Sequence, residues 1–236
     1  MILRERLPSA PAGSDARPVR GPRAAVRGLA LGTVLLVAWL TAALPAAAEP
    51  AAASAAAAAS IAPAAPGDGV TRVEREYLEP DAVLRDVDGH TVALRALLEA
   101  DRPVMLDFIY TSCTAICPML SETFAQVQRA LGADAAGLRM VSISIDPEVD
   151  TPKVLRAYAQ PYHPGPQWLF LTGSAREIVD VQTAFDAYKV NKMDHASLIL
   201  LRAGRRHPWI RYEGPVTPAT LVREVRAIQA AAAPSR

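Results

Sequence analysis

The chain is short of cysteine, of histidine and of net charge. Among 236 residues there are two cysteines, four histidines and a formal charge of only +1. The balance hides an asymmetry: residues 1–48 carry six arginines against Glu5 and Asp15, a net +4, while the remainder has 19 basic against 22 acidic residues, a net −3. A slightly acidic body without a basic stripe excludes nucleic acid as the expected partner. A thiol peroxidase needs a lone activated cysteine with acid–base and amide partners, and no such set is present. Both cysteines fall instead in one stretch, Asp107-Phe-Ile-Tyr-Thr-Ser-Cys113-Thr-Ala-Ile-Cys117-Pro118. Core filling explains that pairing poorly.

Hydrophobic residues make up 51% of the chain, but much of this is alanine in the first third. Arg17, Arg20, Arg23 and Arg27 precede an uncharged apolar run, Gly28 to Leu44, and Pro45-Ala46-Ala47-Ala48-Glu49 offers a small-x-small cleavage site ending at Ala48. The run is at the short end for a spanning helix. Residues 1–48 therefore read as a signal peptide or an N-terminal membrane anchor, and both fit. In either case the arginines stay in the cytoplasm and the body is exported. Residues 49–70 are almost wholly Ala, Pro, Ser and Gly, which makes a flexible tether.

The body, residues 71–236, alternates strand and helix patterns from about residue 80. Val83 to Val87 and Thr91 to Leu94 flank Asp88-Gly89, a hairpin signal. Pro103 to Tyr110 is a continuous apolar run, expected for a strand buried on both faces. Pro118 fits the first position of a helix that carries Met119, Phe124, Val127 and Leu131 inward and stops at Gly132. Leu138 to Ile145 predicts a second buried strand. Asp150-Thr151-Pro152 predicts the cap of a helix carrying Val154, Leu155 and Tyr158. A strand over Trp168 to Leu171, a helix over Ser174 to Ala187, an antiparallel pair Ser197 to Leu201 and His207 to Tyr212, and a helix from Thr217-Pro218 follow. This order is an α/β sandwich with an N-terminal β-hairpin, a central mixed sheet and flanking helices. Cysteines at the carboxyl end of the first central strand, beside a helix N-terminus, belong to a thioredoxin-like layout.

A thiol at a helix N-terminus is favoured as thiolate by free N–H groups and the macrodipole. In an exported protein two nearby cysteines read first as a structural disulfide, yet a loop this small gains little from closure. C-x3-C is wider than the C-x-x-C of dithiol exchange and admits an ion between two soft donors, which select Cu(I). On spacing alone, disulfide, redox pair and metal site all stay open. A third ligand decides between them. His90 on the hairpin turn, His163 in a Pro-rich loop and His207 at a strand start read as solvated imidazoles. His195 immediately precedes the strand from Ser197, in the loop that faces the cysteines in this layout. Dithiol oxidoreductases carry a cis-proline there, whereas this chain has Asp194-His195-Ala196. Two sulfurs and one imidazole make a trigonal Cu(I) site.

Phe108 to Pro118, Ser144-Ile-Asp146-Pro147-Glu148-Val-Asp150-Thr151-Pro152 and Asp194-His195 together resemble the Sco/SenC family, over roughly residues 75–230. That family comprises membrane-tethered, thioredoxin-like copper proteins that assist assembly of the binuclear copper centre of cytochrome oxidase. The resemblance implies Cys113, Cys117 and His195 as ligands of one copper ion per domain. It implies as partners the copper-centre subunit of a respiratory oxidase and another copper chaperone or a thioredoxin-like reductant. The expected place is the periplasmic side of a bacterial inner membrane, soluble or anchored. A thiol–disulfide oxidoreductase using Cys113 and Cys117 on a client copper site is the alternative. The loop reads Cys-Thr-Ala-Ile-Cys where many members have Cys-Pro-Asp-x-Cys, and Ala196 stands where Ser is common; the ligands are intact.

Three acidic residues and two methionines complete the candidates. Asp146 and Asp150 most simply end a strand and cap a helix, with ligand orientation or partner docking as the functional alternative. Asp107, mid-strand, is expected to reach the cysteine loop or a nearby donor, because a buried unpaired carboxylate is costly. Met119 and Met193 flank the two ligand loops, Met119 reading more simply as core.

Overall fold

The computed structural model describes residues 69–232. The leader expected over 1–48 and nearly all of the tether expected over 49–70 lie outside them. Among the described residues no helix is long and apolar enough to cross a membrane.

Eight strands form one sheet in the order β1-β8-β7-β4-β5-β6-β2-β3. They are β1 (Thr71–Arg75), β2 (Val83–Asp86), β3 (Thr91–Ala93), β4 (Val104–Ile109), β5 (Arg139–Ser144), β6 (Trp168–Thr172), β7 (Leu198–Arg202) and β8 (Trp209–Glu213). β4, β5 and β6 run parallel; β7 is antiparallel to β4, and the remaining pairs are antiparallel. This is the mixed sheet the strand and helix patterns predict. The hairpin β2–β3 forms at Asp88-Gly89 and joins the sheet beside β6. It is preceded by β1, which sequence reading missed and which lies at the opposite edge, along β8. β1 reads Thr-Arg-Val-Glu-Arg with no buried residue, so it carries no apolar alternation to detect.

β4 is buried at every position, as a run that is apolar apart from Asp107 leads one to expect. Its alternate residues serve two cores. Met105 and Ile109 pack against α2 (Ile116–Leu131), α3 (Pro152–Ala159) and α5 (Pro218–Ala232). Val104, Leu106 and Phe108 pack on the other face against α1 (Leu94–Leu98) and α4 (Ala175–Ala184). The sheet is thus covered on both sides, which places the carboxyl end of β4 at an open rim of the sandwich.

Three local expectations change. Helix α2 begins at Ile116, so Pro118 is its third residue rather than its first. The first turn has no intrahelical use for its N–H groups, so proline is tolerated there as well. The inward stripe runs through Cys117, Leu120, Phe124, Val127 and Leu131, and Met119 is exposed. On α3 the cap is Thr151 alone, whose hydroxyl accepts from Val154 N–H with Pro152 following; Asp150 faces elsewhere.

Candidate metal centre at the cysteine loop

Strand β4 ends at Ile109, and the chain turns so that Cys113 N–H donates to Tyr110 O at 3.2 Å. Three residues later α2 begins and delivers Cys117 into its first turn. Cys117 N–H donates to Cys113 Sγ at 3.5 Å, and Tyr110 N–H donates to Cys117 Sγ at 3.4 Å. Both thiols are free; Cys113 is half-buried and Cys117 fully buried.

Their acidities are split. Burial pushes Cys113 up, but the amides of Cys117 and Ala115, the Cys117 thiol and the Tyr110 hydroxyl outweigh it and bring the group from 9.0 down to about 7. Burial pushes Cys117 well up, and the neighbouring Cys113 and Asp107 charges add to it against the one Tyr110 amide. A helix N-terminus therefore favours thiolate at the residue one turn upstream, which receives its free amides, not at the one inside the helix.

His195 follows a 3-10 turn, Lys192–Asp194, just before β7. It is buried, and its Nε2 lies 2.9 Å from Phe108 O. A carbonyl only accepts, so Nε2 carries the hydrogen and Nδ1 keeps a free lone pair. Burial lowers the imidazole pKa, which holds the ring neutral. The turn bearing it is tied to the cysteine loop and to the end of β5. Tyr110 hydroxyl donates to Met193 Sδ at 3.5 Å, and Lys192 Nζ pairs with Asp146 Oδ2 at 2.5 Å while lying over the Tyr110 ring.

The structure thus brings the two thiols together and sets the His195 loop beside them. It does not gather the three ligand atoms into one group all within 4.8 Å of one another; among the described residues the group that meets that distance is Asp86, Asp88 and His90 on the hairpin. That cluster is explained locally. Asp86 accepts from the Asp88 and His90 amides, and Asp88 pairs with Arg156. His163 and His207 are exposed, as expected of solvated imidazoles.

The acidic residues behave differently from their simplest readings. Asp150 is fully buried and clamps the cysteine loop to β5: it accepts from Thr111 N–H at 3.0 Å, Thr111 hydroxyl at 2.5 Å and Ser144 hydroxyl at 2.6 Å. The partners Thr111, Ser144, Tyr110 and Lys192 were not singled out from sequence, because polar residues at strand ends carry no distinctive spacing. Asp107 is fully buried beneath the loop, yet neither carboxylate oxygen has a hydrogen-bond partner. It does not make the contact expected of it. Burial raises its pKa to about 7, so protonation substitutes for a partner.

The sequence model of the SCO1/SenC family matches residues 73–230. The chain belongs to the SCO1/SenC family. The SCO1 protein homolog of Bacillus subtilis (strain 168) is 35% identical over 94 residues, covering 39% of this chain and 48% of that protein. The chain therefore spans about half the length of this relative. Bradyrhizobium japonicum ScoI, solved with copper bound, is similar at 28% identity and a TM-score of 0.55, covering 64% of this chain and 99% of that one. BsSco, a member of the Sco family of cytochrome c oxidase assembly proteins with a disulfide switch, is similar at 27% identity and a TM-score of 0.54, covering 66% of this chain and 97% of that one. The SCO1/SenC domain here has the thioredoxin-like fold that its cysteine placement led us to expect.

Proposed function

We propose that this SCO1/SenC domain is a copper metallochaperone that takes one Cu(I) on Cys113, Cys117 and His195 and passes it to the copper centre of a cytochrome oxidase. The observation that carries the reading is the donor set: two free thiols beside a helix N-terminus and a neutral imidazole with an open Nδ1 in the facing loop. Two soft sulfurs and one imidazole suit Cu(I) and leave the ion accessible for exchange. The copper-bound Bradyrhizobium relative and the oxidase-assembly role of BsSco support the choice of cargo and client. Because the three donors are not yet gathered, capture requires the Lys192–His195 segment to close on the cysteines. Phe108 O fixes the imidazole tautomer, the amides around Cys113 hold its thiolate, and the Asp150 clamp sets the loop from below.

A leader over 1–48 and a tether over 49–70 complete the proposal, exporting the domain to the periplasmic side of the membrane and leaving it soluble or anchored. The copper-centre subunit would be the client, with another chaperone as donor or a thioredoxin-like reductant keeping the thiols free.

One observation favours a second reading. A half-exposed thiol at about 7 next to a buried thiol of raised pKa is also the division of labour of an attacking and a resolving cysteine. The domain would then reduce the cysteines of a client copper site. Copper stoichiometry on the reduced and oxidised protein, with Cys113→Ala, Cys117→Ala and His195→Ala alongside, separates the two. The chaperone reading expects one copper per reduced chain, lost in each variant. Full copper affinity in His195→Ala would sink the three-ligand site, and a strongly reducing Cys113–Cys117 couple would favour the oxidoreductase.

A further inference from the structure

Around the cysteine loop the soft donors are unequally open to water. Cys117 and His195 are buried, Cys113 is half-buried, and Met193 is 69% exposed. A methionine is a residue that folding ordinarily hides, and no core packing accounts for this one. Its sulfur is nevertheless held in place. The Tyr110 hydroxyl donates to Met193 Sδ at 3.5 Å, while the N–H of the same residue donates to Cys117 Sγ at 3.4 Å. A thioether and a cysteine sulfur are thus tied to one residue, the thioether being far the more exposed. Among the described residues the other exposed methionine, Met119, has no such tether: its side chain makes no polar contact to the loop, and only its backbone carbonyl is used, by Thr123.

We propose that Met193 is the entry ligand of the site, the first protein donor that incoming Cu(I) meets before Cys113 and Cys117 take it. The inference rests on the copper reading above and adds a step to it. A thioether is soft and carries no proton, so it accepts Cu(I) without the deprotonation that a thiol must undergo. The ion then moves inward by ligand exchange. A Cys113 Sγ–Cu bond forms as the Met193 Sδ–Cu bond breaks, any proton on Cys113 and the proton of Cys117 leave to solvent as each sulfur joins, and His195 Nδ1 completes the set. Copper stays Cu(I) throughout, and no electron is transferred. Met193 lies in the 3-10 turn that His195 directly follows, two residues before it, so closing of that segment would carry thioether and imidazole toward the cysteines together.

The test is stopped-flow loading of the reduced full-length protein from a Cu(I)–acetonitrile complex, comparing the parent with Met193→Leu and Met193→His. Leucine keeps size and apolarity but removes the sulfur; at so exposed a position it leaves the fold intact. The expectation is unchanged copper per chain at equilibrium, with loading slowed about tenfold in Met193→Leu, the lower end of the loss seen when a partner just outside a metal site is removed. Histidine, which restores a donor, recovers most of the rate. As a second readout, Cu(I) added to a Cys113→Ala/Cys117→Ala protein should shift the 13C-methyl signal of Met193 and leave that of Met119 in place. Normal stoichiometry with parental loading by Met193→Leu, or a Met193 methyl indifferent to Cu(I), overturns the entry role alone. A parent protein that takes up no copper overturns it together with the chaperone reading.

Discussion

Replacing Asp150 by asparagine tests whether the cysteine loop is held from below. The carboxylate is fully buried and accepts three hydrogen bonds, two of them from Thr111, two residues ahead of Cys113. Asparagine keeps the shape but offers one acceptor oxygen, and its NH2 then faces a donor. Hydrogen bonds to a charged acceptor contribute about 1.5–3 kcal/mol each, and a buried donor left unpaired costs about 1–3 kcal/mol. Losing one or two of the three therefore destabilises by about 2–4 kcal/mol. In a domain of this size each kcal/mol lowers Tm by roughly 2–4 °C, so a fall on the order of 10 °C is expected in a circular-dichroism melt. The loop should also loosen, so the rate at which iodoacetamide alkylates Cys113 changes at fixed pH. Thr151→Ala is the control: it removes only the cap of α3, costs about 1 kcal/mol and leaves Cys113 chemistry alone. An Asp150→Asn protein within about 0.5 kcal/mol of the parent, the range of an inert surface change, with unaltered Cys113 reactivity would refute the clamp.

Asp107 binds its proton in the fold up to about pH 7 while the unfolded chain releases it from 3.8 upward. The stability it lends is full below that lower value and is lost as pH rises through the upper one. Asp107→Asn, always neutral, should therefore match the parent near pH 4 and exceed it at pH 8 by up to about 4 kcal/mol, at about 1.4 kcal/mol per unit; parallel urea-stability profiles across that range would contradict this. Alkylation of Cys113 should rise with an inflection near pH 7, and Tyr110→Phe, which removes one of the groups that stabilise the thiolate, should move that inflection upward. Gly214 has φ +96°, and a Cβ there would lie 2.2 Å from Gly69 O. Gly214→Ala should cost about 1–3 kcal/mol from the backbone alone and make Gly69–Arg75 more susceptible to limited proteolysis.

The architecture was legible wherever a segment is buried in a regular pattern. β4, β5 and β6 announce themselves as mainly apolar runs of strand length because parallel strands are covered on both faces. Asp88-Gly89 announces its hairpin, and Ser174 with Glu177 forms the capping box that starts α4. β1 was not legible, since an edge strand held by backbone pairing to β8 needs no apolar side chains. Met119 and Leu120 are adjacent apolar residues, and only the true start of α2, two residues earlier than Pro118 suggests, settles which faces inward. The candidate ligands were readable from residue type and order, whereas their supports were not. Asp150 holds a loop nearly forty residues upstream and leaves the adjacent cap to Thr151, a division of roles that local motif rules cannot express. Asp107 was identified as anomalous but assigned a partner it lacks, because sequence reasoning treated pairing as the remedy for burial and the fold uses protonation.

If the domain takes up Cu(I) as proposed, the uneven titration of the two thiols sets the proton count of that uptake. Near neutral pH Cys117 still holds its proton, Cys113 is partly ionised, and His195 offers a nitrogen that carries no hydrogen. Capture of one Cu(I) by these three donors would then expel between one and two protons near neutral pH. Below pH 7 the count approaches two and above it approaches one, so copper affinity should climb steeply with pH in acid and about half as steeply beyond neutrality. The domain would hold its cargo least firmly where its surroundings are most acidic, and local acidity would by itself bias the direction of transfer.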